Sequence, residues 1–145
     1  MTTAPQMSAE KKVLYTAKTH TTGGRQHGVA RSSDGRLEVK LSIPGSAGTG
    51  TNPEQLFAAG WSGCFEESMV IAAHKMHVNL PPETAIDAEV DLCLAGDDYF
   101  LQARLNVSIP GLGRSVAQSI VEAAEKICTY SKAIRGNVDV TITLV

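Results

Sequence analysis

The chain has 145 residues, of which 43% are hydrophobic and 19% are charged, and its formal net charge is -2. This length and apolar content predict one domain of ordinary size that can bury a core. The slight negative charge, and the lack of any apolar run near the roughly 18 residues of a membrane span, argue against binding to nucleic acid or to a membrane.

The start of the chain, MTTAPQMSAEKK, lacks the apolar stretch of a secretory signal peptide. We therefore expect residues 1–12 to form a disordered extension and residues 13–145 to form a single domain of a cytoplasmic protein. The chain has 3 cysteines. Because structural disulfides are rare in the cytoplasm, a functional cysteine pair there is expected to be redox-active or to bind a metal.

Three short strands are predicted in the first third of the chain. Residues 13–22 alternate and are rich in Thr, and a Gly-Gly pair forms the turn that ends them. A second strand is expected at residues 28–32 and a third at residues 37–41, which place their apolar side chains on one face. Residues 44–51, rich in Gly, Ser and Thr, are expected to form a flexible loop.

The longest helix is predicted to begin at Asn52. Asn is a favoured N-cap residue, Pro53 suits the first helical position, and Gln55 stands at the spacing of a capping box. The helix is expected to run to about His77, before a Pro-Pro pair. Its residues are apolar on nearly every side, so it must be almost completely buried. Since a monomer of this length has little material to cover it, we expect a partner subunit.

The remaining segments complete a mixed fold. Residues 85–94 and 99–109 are predicted to form a β-hairpin, residues 115–128 an amphipathic helix, and residues 138–144 a last strand. The order of three strands, a helix, two strands, a helix and a strand is an α+β pattern.

Two cysteines are candidates for chemistry. Cys64 lies on the long helix one turn after Gly60, which is expected to leave open space over the thiol. Cys128 ends the second helix, where a thiol is less confined. By position alone, core packing explains either residue as well, because free Cys is among the most buried residue types. Cys93, in the middle of a predicted strand, is expected to belong to the core.

A zinc site is the alternative interpretation of the same residues. Cys64, His74, His77, Cys93 and Cys128 would supply enough ligands. However, the chain has no CxxC pair, and His74 and His77 form a lone pair near a helix end. We therefore expect no metal.

Several segments together resemble a known family. They are TTGGR at 21–25, SSDGRLEVKL at 32–41, GTNPEQLFAAGWSGCF at 50–65, CTYS at 128–131 and IRGNVDV at 134–140. Their order is similar to that of the organic hydroperoxide resistance (Ohr) branch of the OsmC/Ohr family, over essentially the whole chain from residue 13. The run TNPEQLFAAG followed closely by Cys is highly specific.

The resemblance implies an architecture and an activity. The fold would be an α+β, intertwined homodimer in which two long central helices are wrapped by antiparallel β-sheets. The activity would be that of a peroxidase that reduces alkyl and fatty-acid hydroperoxides without a bound cofactor. The external reductant would be a dithiol, namely the dihydrolipoyl groups of lipoylated proteins such as a dehydrogenase subunit.

The resemblance also assigns roles to residues. Cys64 matches the peroxidatic cysteine, Cys128 the resolving cysteine, Arg25 the group that stabilises the thiolate and the peroxide, and Glu54 the carboxylate that orients Arg25. These residue types suit the reaction, since a neighbouring guanidinium lowers the pKa of a thiol and the thiolate is the nucleophile. The aromatic residues expected to form an apolar wall for the substrate are Phe57, Trp61, Phe65, Phe100 and Tyr130.

The spacing of these residues raises a geometric question. Glu54 and Cys64 are ten residues apart, so a continuous helix separates them by about 15 Å along its axis. Either the helix breaks near Gly60 or Gly63, or Arg25 and Glu54 reach Cys64 across the dimer interface. We favour the second arrangement, because the long apolar helix already requires a partner.

Three features depart from the family pattern. Thr129 follows Cys128 where the family usually has Pro, which predicts a looser helix end and thiol placement. Glu66 and Glu67 replace small or apolar residues, and Glu67, one turn from Cys64, is expected to raise the thiol pKa. The loop at residues 44–51 is also short.

Other functions are compatible with the same residues. The sister OsmC branch would share the chemistry but differ in substrate and reductant. A thiol redox sensor or apolar-ligand carrier would have cysteines that oxidise without fast turnover, and a structural dimer would have inert core cysteines. The motif TGGR and the run NPEQLFAAG favour the Ohr branch.

Overall fold

The computed structural model describes residues 10–145, which divide into two compact units at Thr51/Asn52. Most of the predicted N-terminal extension therefore lies outside the described residues. Residues 10–12 are exposed and belong to no helix or strand. The disordered extension and the single domain at residues 13–145 stay predictions.

The first unit is a three-stranded antiparallel sheet. Its elements are β1 (Thr19–Thr22), the one-turn helix α1 (Gly24–His27), β2 (Val29–Ser32) and β3 (Glu38–Lys40), and the strand order is β1-β2-β3. The predicted strands are present, although β1 begins only at Thr19 and is shorter than the strand predicted at residues 13–22. Helix α1, which the sequence analysis missed, starts after Gly23, whose φ of 78° favours glycine.

The second unit combines helices with a mixed sheet. Its elements are α2 (Pro53–Lys75), β4 (Ala85–Ala95), β5 (Asp98–Ser108), α3 (Arg114–Ile127), α4 (Thr129–Ile134) and β6 (Asp139–Leu144). Strands β4 and β5 form the predicted antiparallel hairpin, but β6 pairs with β5 in parallel. The expectation of purely antiparallel sheets is therefore wrong. Helices α3 and α4 form the crossover that parallel neighbours require.

Helix α2 starts as the sequence predicts. The side chain of Asn52 accepts a hydrogen bond of 2.8 Å from the backbone N–H of Gln55, and Pro53 occupies the first turn. The helix continues without interruption through Gly60 and Gly63, so the alternative of a break there is wrong. None of the helices within residues 10–145 combines the length and apolar composition of a membrane span.

The burial of α2 is incomplete in the single chain. Its buried residues are Trp61, Phe65, Ser68, Met69, Ala72 and Ala73. In contrast, Val70 is 46% exposed and Ile71 is 38% exposed, although both are large and apolar. The expectation of almost complete burial therefore does not hold for one chain by itself.

The two faces of the β4–β5–β6 sheet differ in character. Ala103, Leu105 and Val107 of β5 belong to the same core cluster as the buried side chains of α2 and α3. On the opposite face, the Arg104 guanidinium binds Asp91 with bonds of 2.8 and 3.0 Å. The hydrogen bonds from Arg104, followed by one from Gln102, lower the pKa of Asp91 to about 2. This second face is the polar face of the sheet.

Cys93 lies on the polar face, directly opposite Phe100 on the neighbouring strand. Side chains alternate along a strand, so Cys93 shares this face with Asp91 and not with the core residues. The prediction that Cys93 belongs to the core is therefore wrong. It is half-buried at the side of the sheet away from the helices.

Candidate active site

The fold brings the thiols of Cys64 and Cys128 together. Their sulfur atoms are 3.5 Å apart, with the Cys128 thiol donating, and both residues are free cysteines. Cys128 has no accessible surface, whereas Cys64 is half-buried. The pair is therefore asymmetric, because of the two residues only Cys64 keeps accessible surface.

A break between two helices places Cys128. Helix α3 ends at Ile127, and the Cys128 N–H still donates to the Ala124 carbonyl at 2.8 Å. The extended ψ of 121° at Cys128 then turns the chain, and α4 begins at Thr129. Although Thr129 is not a proline, α3 ends directly before Cys128, and the Cys128 side chain is buried.

Two side chains of α4 dock this junction onto α2. The buried indole of Trp61 donates a hydrogen bond of 3.1 Å to the Ser131 hydroxyl. At Gly60, an added Cβ would lie 2.5 Å from the Tyr130 hydroxyl oxygen. The Tyr130 ring therefore fills the space at Gly60. The prediction that Gly60 leaves open space over the Cys64 thiol is wrong.

The surroundings of Cys64 favour its ionised form. Burial, the largest influence, raises the pKa of the thiol, but hydrogen bonds from the Thr129 hydroxyl, the Tyr130 backbone N–H, the Cys128 thiol and the Thr129 backbone N–H together outweigh it. The pKa of Cys64 therefore lies below its ordinary value. Glu67 was expected to raise the pKa of the Cys64 thiol, but the net shift of that pKa is downward.

The structure does not bring all four predicted catalytic residues together. Glu54 is in the first turn of α2, and because the helix is continuous, it lies about 15 Å from Cys64 along the axis. Arg25 is half-buried in α1, in the first unit. The second unit by itself therefore assembles the two thiols but not the carboxylate beside them.

The five predicted aromatic wall residues fall into three groups. Trp61 and Phe65 have no accessible surface, so they offer nothing for a substrate to contact. Phe100 lies on the polar face of the sheet, away from the core cluster that contains Cys128 and packs against Cys64. Phe57 and Tyr130 meet edge to face with ring centroids 6.1 Å apart, and both keep accessible surface. Of the five, only these two keep accessible surface near the contact between α2 and α4.

Sequence reasoning missed the contacts made by Thr129 and Ser131. The Thr129 hydroxyl lies 3.4 Å from the Cys64 sulfur. Thr129 stood out in the sequence only as a departure from a pattern, and nothing in the sequence pairs Ser131 with Trp61, 70 residues away. Within residues 10–145, no three His, Cys, Asp or Glu side chains are grouped in a way that could hold a metal ion.

The two glycines of α2 provide a matched test of the α2–α4 contact. Gly60→Ala would push against Tyr130, whereas an added Cβ at Gly63 meets no atom of the described residues within 4 Å. We expect Gly63→Ala to raise the free energy of unfolding by about 0.5–1 kcal/mol, the helix preference for Ala. Gly60→Ala should lower it by about 1 kcal/mol or more, because overpacking exceeds that gain. Urea unfolding at equal protein concentrations measures both, and an equal gain in the two variants would contradict the contact.

Comparisons with known proteins give a consistent result. Residues 45–143 match the family model described as OsmC-like protein. The chain is 44% identical to the organic hydroperoxide resistance protein of Xanthomonas axonopodis pv. citri (strain 306), over 95% of this chain and 99% of that protein. It is 40% identical to the organic hydroperoxide resistance protein OhrB of Bacillus subtilis (strain 168), over 90% of this chain and 98% of the relative.

The solved structures that resemble this chain include proteins of the same description as its sequence relatives. The crystal structure of Bacillus subtilis OhrB superimposes with a TM-score of 0.86 at 38% identity, covering 92% of this chain and 100% of that one. An organic hydroperoxide resistance protein from Elizabethkingia anophelis gives a TM-score of 0.83 at 34% identity, covering 93% of this chain and 100% of the other.

Proposed function

The chain belongs to the OsmC/Ohr family, and on that basis we propose that it is a cysteine-based peroxidase that reduces organic hydroperoxides to alcohols in the cytoplasm. The proposed substrates are alkyl and fatty-acid hydroperoxides. The relatives named as organic hydroperoxide resistance proteins cover nearly the whole chain, which supports this substrate class.

The single observation that carries the proposal is the 3.5 Å separation of the Cys64 and Cys128 sulfur atoms. A disulfide requires about 2.05 Å, so the two sulfurs can bond after a small movement. The two positions are 64 residues apart in sequence. Cys128 lies at the break between α3 and α4, and this break directs its thiol towards Cys64. If the two cysteines only filled space in the core, their sulfur atoms would not need to lie this close together.

The proposed reaction has two steps on the protein. The Cys64 thiolate attacks one peroxide oxygen, the O–O bond breaks, and the leaving alkoxide takes a proton to become the alcohol. Cys64 is then a sulfenic acid. The Cys128 sulfur attacks the Cys64 sulfur, the S–O bond breaks, and hydroxide leaves with a proton as water. The hydroperoxide has gained two electrons, and the cysteines have formed one disulfide.

Burial determines how we expect this disulfide to be reduced. Cys128 has no accessible surface, so an external thiolate reaches the Cys64 sulfur and the electron pair of the broken S–S bond goes to Cys128. A second thiol on the same reductant then attacks the mixed disulfide and releases Cys64. A dithiol completes both exchanges in one molecule, which suits dihydrolipoyl groups on a lipoylated protein.

We assign Arg25 and Glu54 supporting roles across a homodimer interface. Arg25 would stabilise the Cys64 thiolate and the bound peroxide, and Glu54 would orient the guanidinium. The continuous α2 separates Glu54 from Cys64 in one chain. The exposed apolar residues Val70 and Ile71 on the same helix support its burial against a second copy.

Mixed dimers test this assignment. Arg25→Ala and Cys64→Ser should each have very low peroxidase activity alone. When the two chains are mixed, a site shared between subunits predicts recovery of about a quarter of the wild-type activity, because half of randomly assorted dimers are mixed and each has one complete site. Verified mixed dimers with no recovered activity would place Arg25 and Cys64 in the same chain.

A steady-state assay tests the proposed function. Consumption of cumene hydroperoxide with dihydrolipoamide should be fast, and consumption of hydrogen peroxide, or with thioredoxin or glutathione as the donor, should be much slower. A different order of preference among these peroxides and donors would favour the sister OsmC branch. Slow, stoichiometric oxidation of the cysteines without turnover would indicate a redox sensor or a carrier, and no oxidation would indicate a structural dimer.

A further inference from the structure

Thr129 contacts Cys64 but has no assigned part in the proposed reaction. Its hydroxyl oxygen lies 3.4 Å from the Cys64 sulfur, and either atom can be the donor while the thiol is protonated. Once Cys64 is a thiolate it can only accept, so the hydroxyl must donate. Thr129 is exposed whereas Cys128 is fully buried. The Cys64 thiol therefore lies between the buried sulfur of Cys128 and the hydroxyl of the exposed Thr129.

We propose that Thr129 is a positioning residue for Cys64, whose hydroxyl donates a hydrogen bond that holds the sulfur as a thiolate ready to react. This proposal deepens the peroxidase function proposed above and rests on it for its catalytic meaning. The contact itself requires only the two side chains.

The backbone fixes the hydroxyl in this place. Thr129 is the first residue of α4, directly after the turn at Cys128, and the next two residues are anchored on α2. Tyr130 fills the space at Gly60, and Ser131 accepts the hydrogen bond from Trp61. A β-branched side chain directly before these anchors has few χ1 rotamers, which limits the entropic loss of holding its hydroxyl towards the sulfur.

Residue type matters at this position. Proline, the residue that the family resemblance leads us to expect here, suits the first position of a helix but supplies neither a hydroxyl nor a backbone N–H. Thr129 supplies both, and both lower the pKa of Cys64. The thiol of this chain thus has two hydrogen-bond donors that a proline would remove.

Other titratable groups near Cys64 have to be held constant. Within the second unit, Cys128 donates to the sulfur and Tyr130 contributes a backbone N–H from α4. Glu67 lies one turn further along α2 and is exposed. A substitution that changes only the hydroxyl of Thr129 leaves all three in place.

The test compares Thr129→Val with Thr129→Ser. Valine keeps the branched shape and the backbone N–H but lacks the hydroxyl, and serine keeps the hydroxyl. The measurement is the rate of iodoacetamide alkylation of reduced protein from pH 4 to 10, with modification of the Cys64 peptide followed by mass spectrometry. Because the thiolate is the reactive form, the rate falls as pH drops through the pKa, so a higher pKa appears as a midpoint at higher pH.

At pH values below both midpoints, we expect Thr129→Val to react about three- to tenfold more slowly than wild type, a range set by a charge-assisted hydrogen bond at a partly exposed site. The rates should converge at high pH, and Thr129→Ser should follow wild type. A midpoint in Thr129→Val equal to that of wild type would overturn the proposal. So would a change confined to the high-pH plateau, which reports access to the sulfur, or a serine variant that behaves like valine.

This readout needs no peroxide and no reductant. If alkylation shifts as expected while wild type fails to reduce organic hydroperoxides, the contact stands and the proposed function fails. If wild type reduces hydroperoxides but the valine profile does not move, the proposed function stands and the role of Thr129 is wrong.

Discussion

Cys64→Ser is expected to reduce the turnover of an organic hydroperoxide by about a thousandfold or more, since it removes the only group proposed to attack the peroxide. A serine hydroxyl is not ionised at neutral pH, and its neighbours at Thr129 and Cys128 do not include a base that would activate it. The measurement is consumption of cumene hydroperoxide with dihydrolipoamide under saturating reductant.

Cys93→Ser is the matched control for this loss. Cys93 is a free, half-buried cysteine like Cys64, but it lies on the polar face of the sheet opposite Phe100. The control variant should turn over at the wild-type rate. Equal activity of Cys64→Ser and wild type would remove the peroxidatic role, and a comparable loss in Cys93→Ser would show that the assay reports general damage.

Cys128→Ser is expected to separate peroxide reduction from recycling. Cys64 remains, and serine keeps a hydroxyl that can still donate to its sulfur, so the first equivalent of hydroperoxide should be reduced at a rate within about threefold of wild type. The sulfenic acid then has no thiol at 3.5 Å to condense with. It should persist, react with dimedone, and be oxidised further to sulfinic acid by excess hydroperoxide.

Wild type should behave in the opposite way in the same experiment. Closure of the disulfide should remove the sulfenic acid before dimedone captures it, and activity should survive hydroperoxide concentrations that inactivate Cys128→Ser. Mass spectrometry of the Cys64 peptide distinguishes the products. If Cys128→Ser resisted overoxidation as well as wild type, another group would have to resolve the sulfenic acid.

Most of the fold follows from local sequence signals. Asn52, Pro53 and Gln55 specify the start of α2, and the hairpin of β4 and β5 follows from alternation on both sides of a turn. The parallel pairing of β6 was not predicted, because the alternation of apolar side chains along β6 fits a parallel and an antiparallel strand equally well. The strand direction depends on the crossover through α3 and α4, and α4 was not predicted.

The site depends more on contacts distant in sequence. The glycine at position 60 could be noticed as a gap in an apolar helix, but the ring that fills it belongs to Tyr130. Likewise Cys93 looks like core because a leucine flanks it on each side, but the alternation along β4 places it on the same face as Asp91. Family resemblance supplied the pairing of Cys64 with Cys128, and the structure supplied their distance and unequal exposure.

The central claim is that Cys64 and Cys128 form one redox pair for organic hydroperoxides. The most direct test adds one equivalent of cumene hydroperoxide per chain to fully reduced protein without any reductant, then quantifies the alcohol and maps the cysteines by mass spectrometry. The account predicts one alcohol and one Cys64–Cys128 disulfide per chain, with Cys93 still a thiol. Unconsumed hydroperoxide, or alcohol formed while Cys64 and Cys128 both remain thiols, would contradict it.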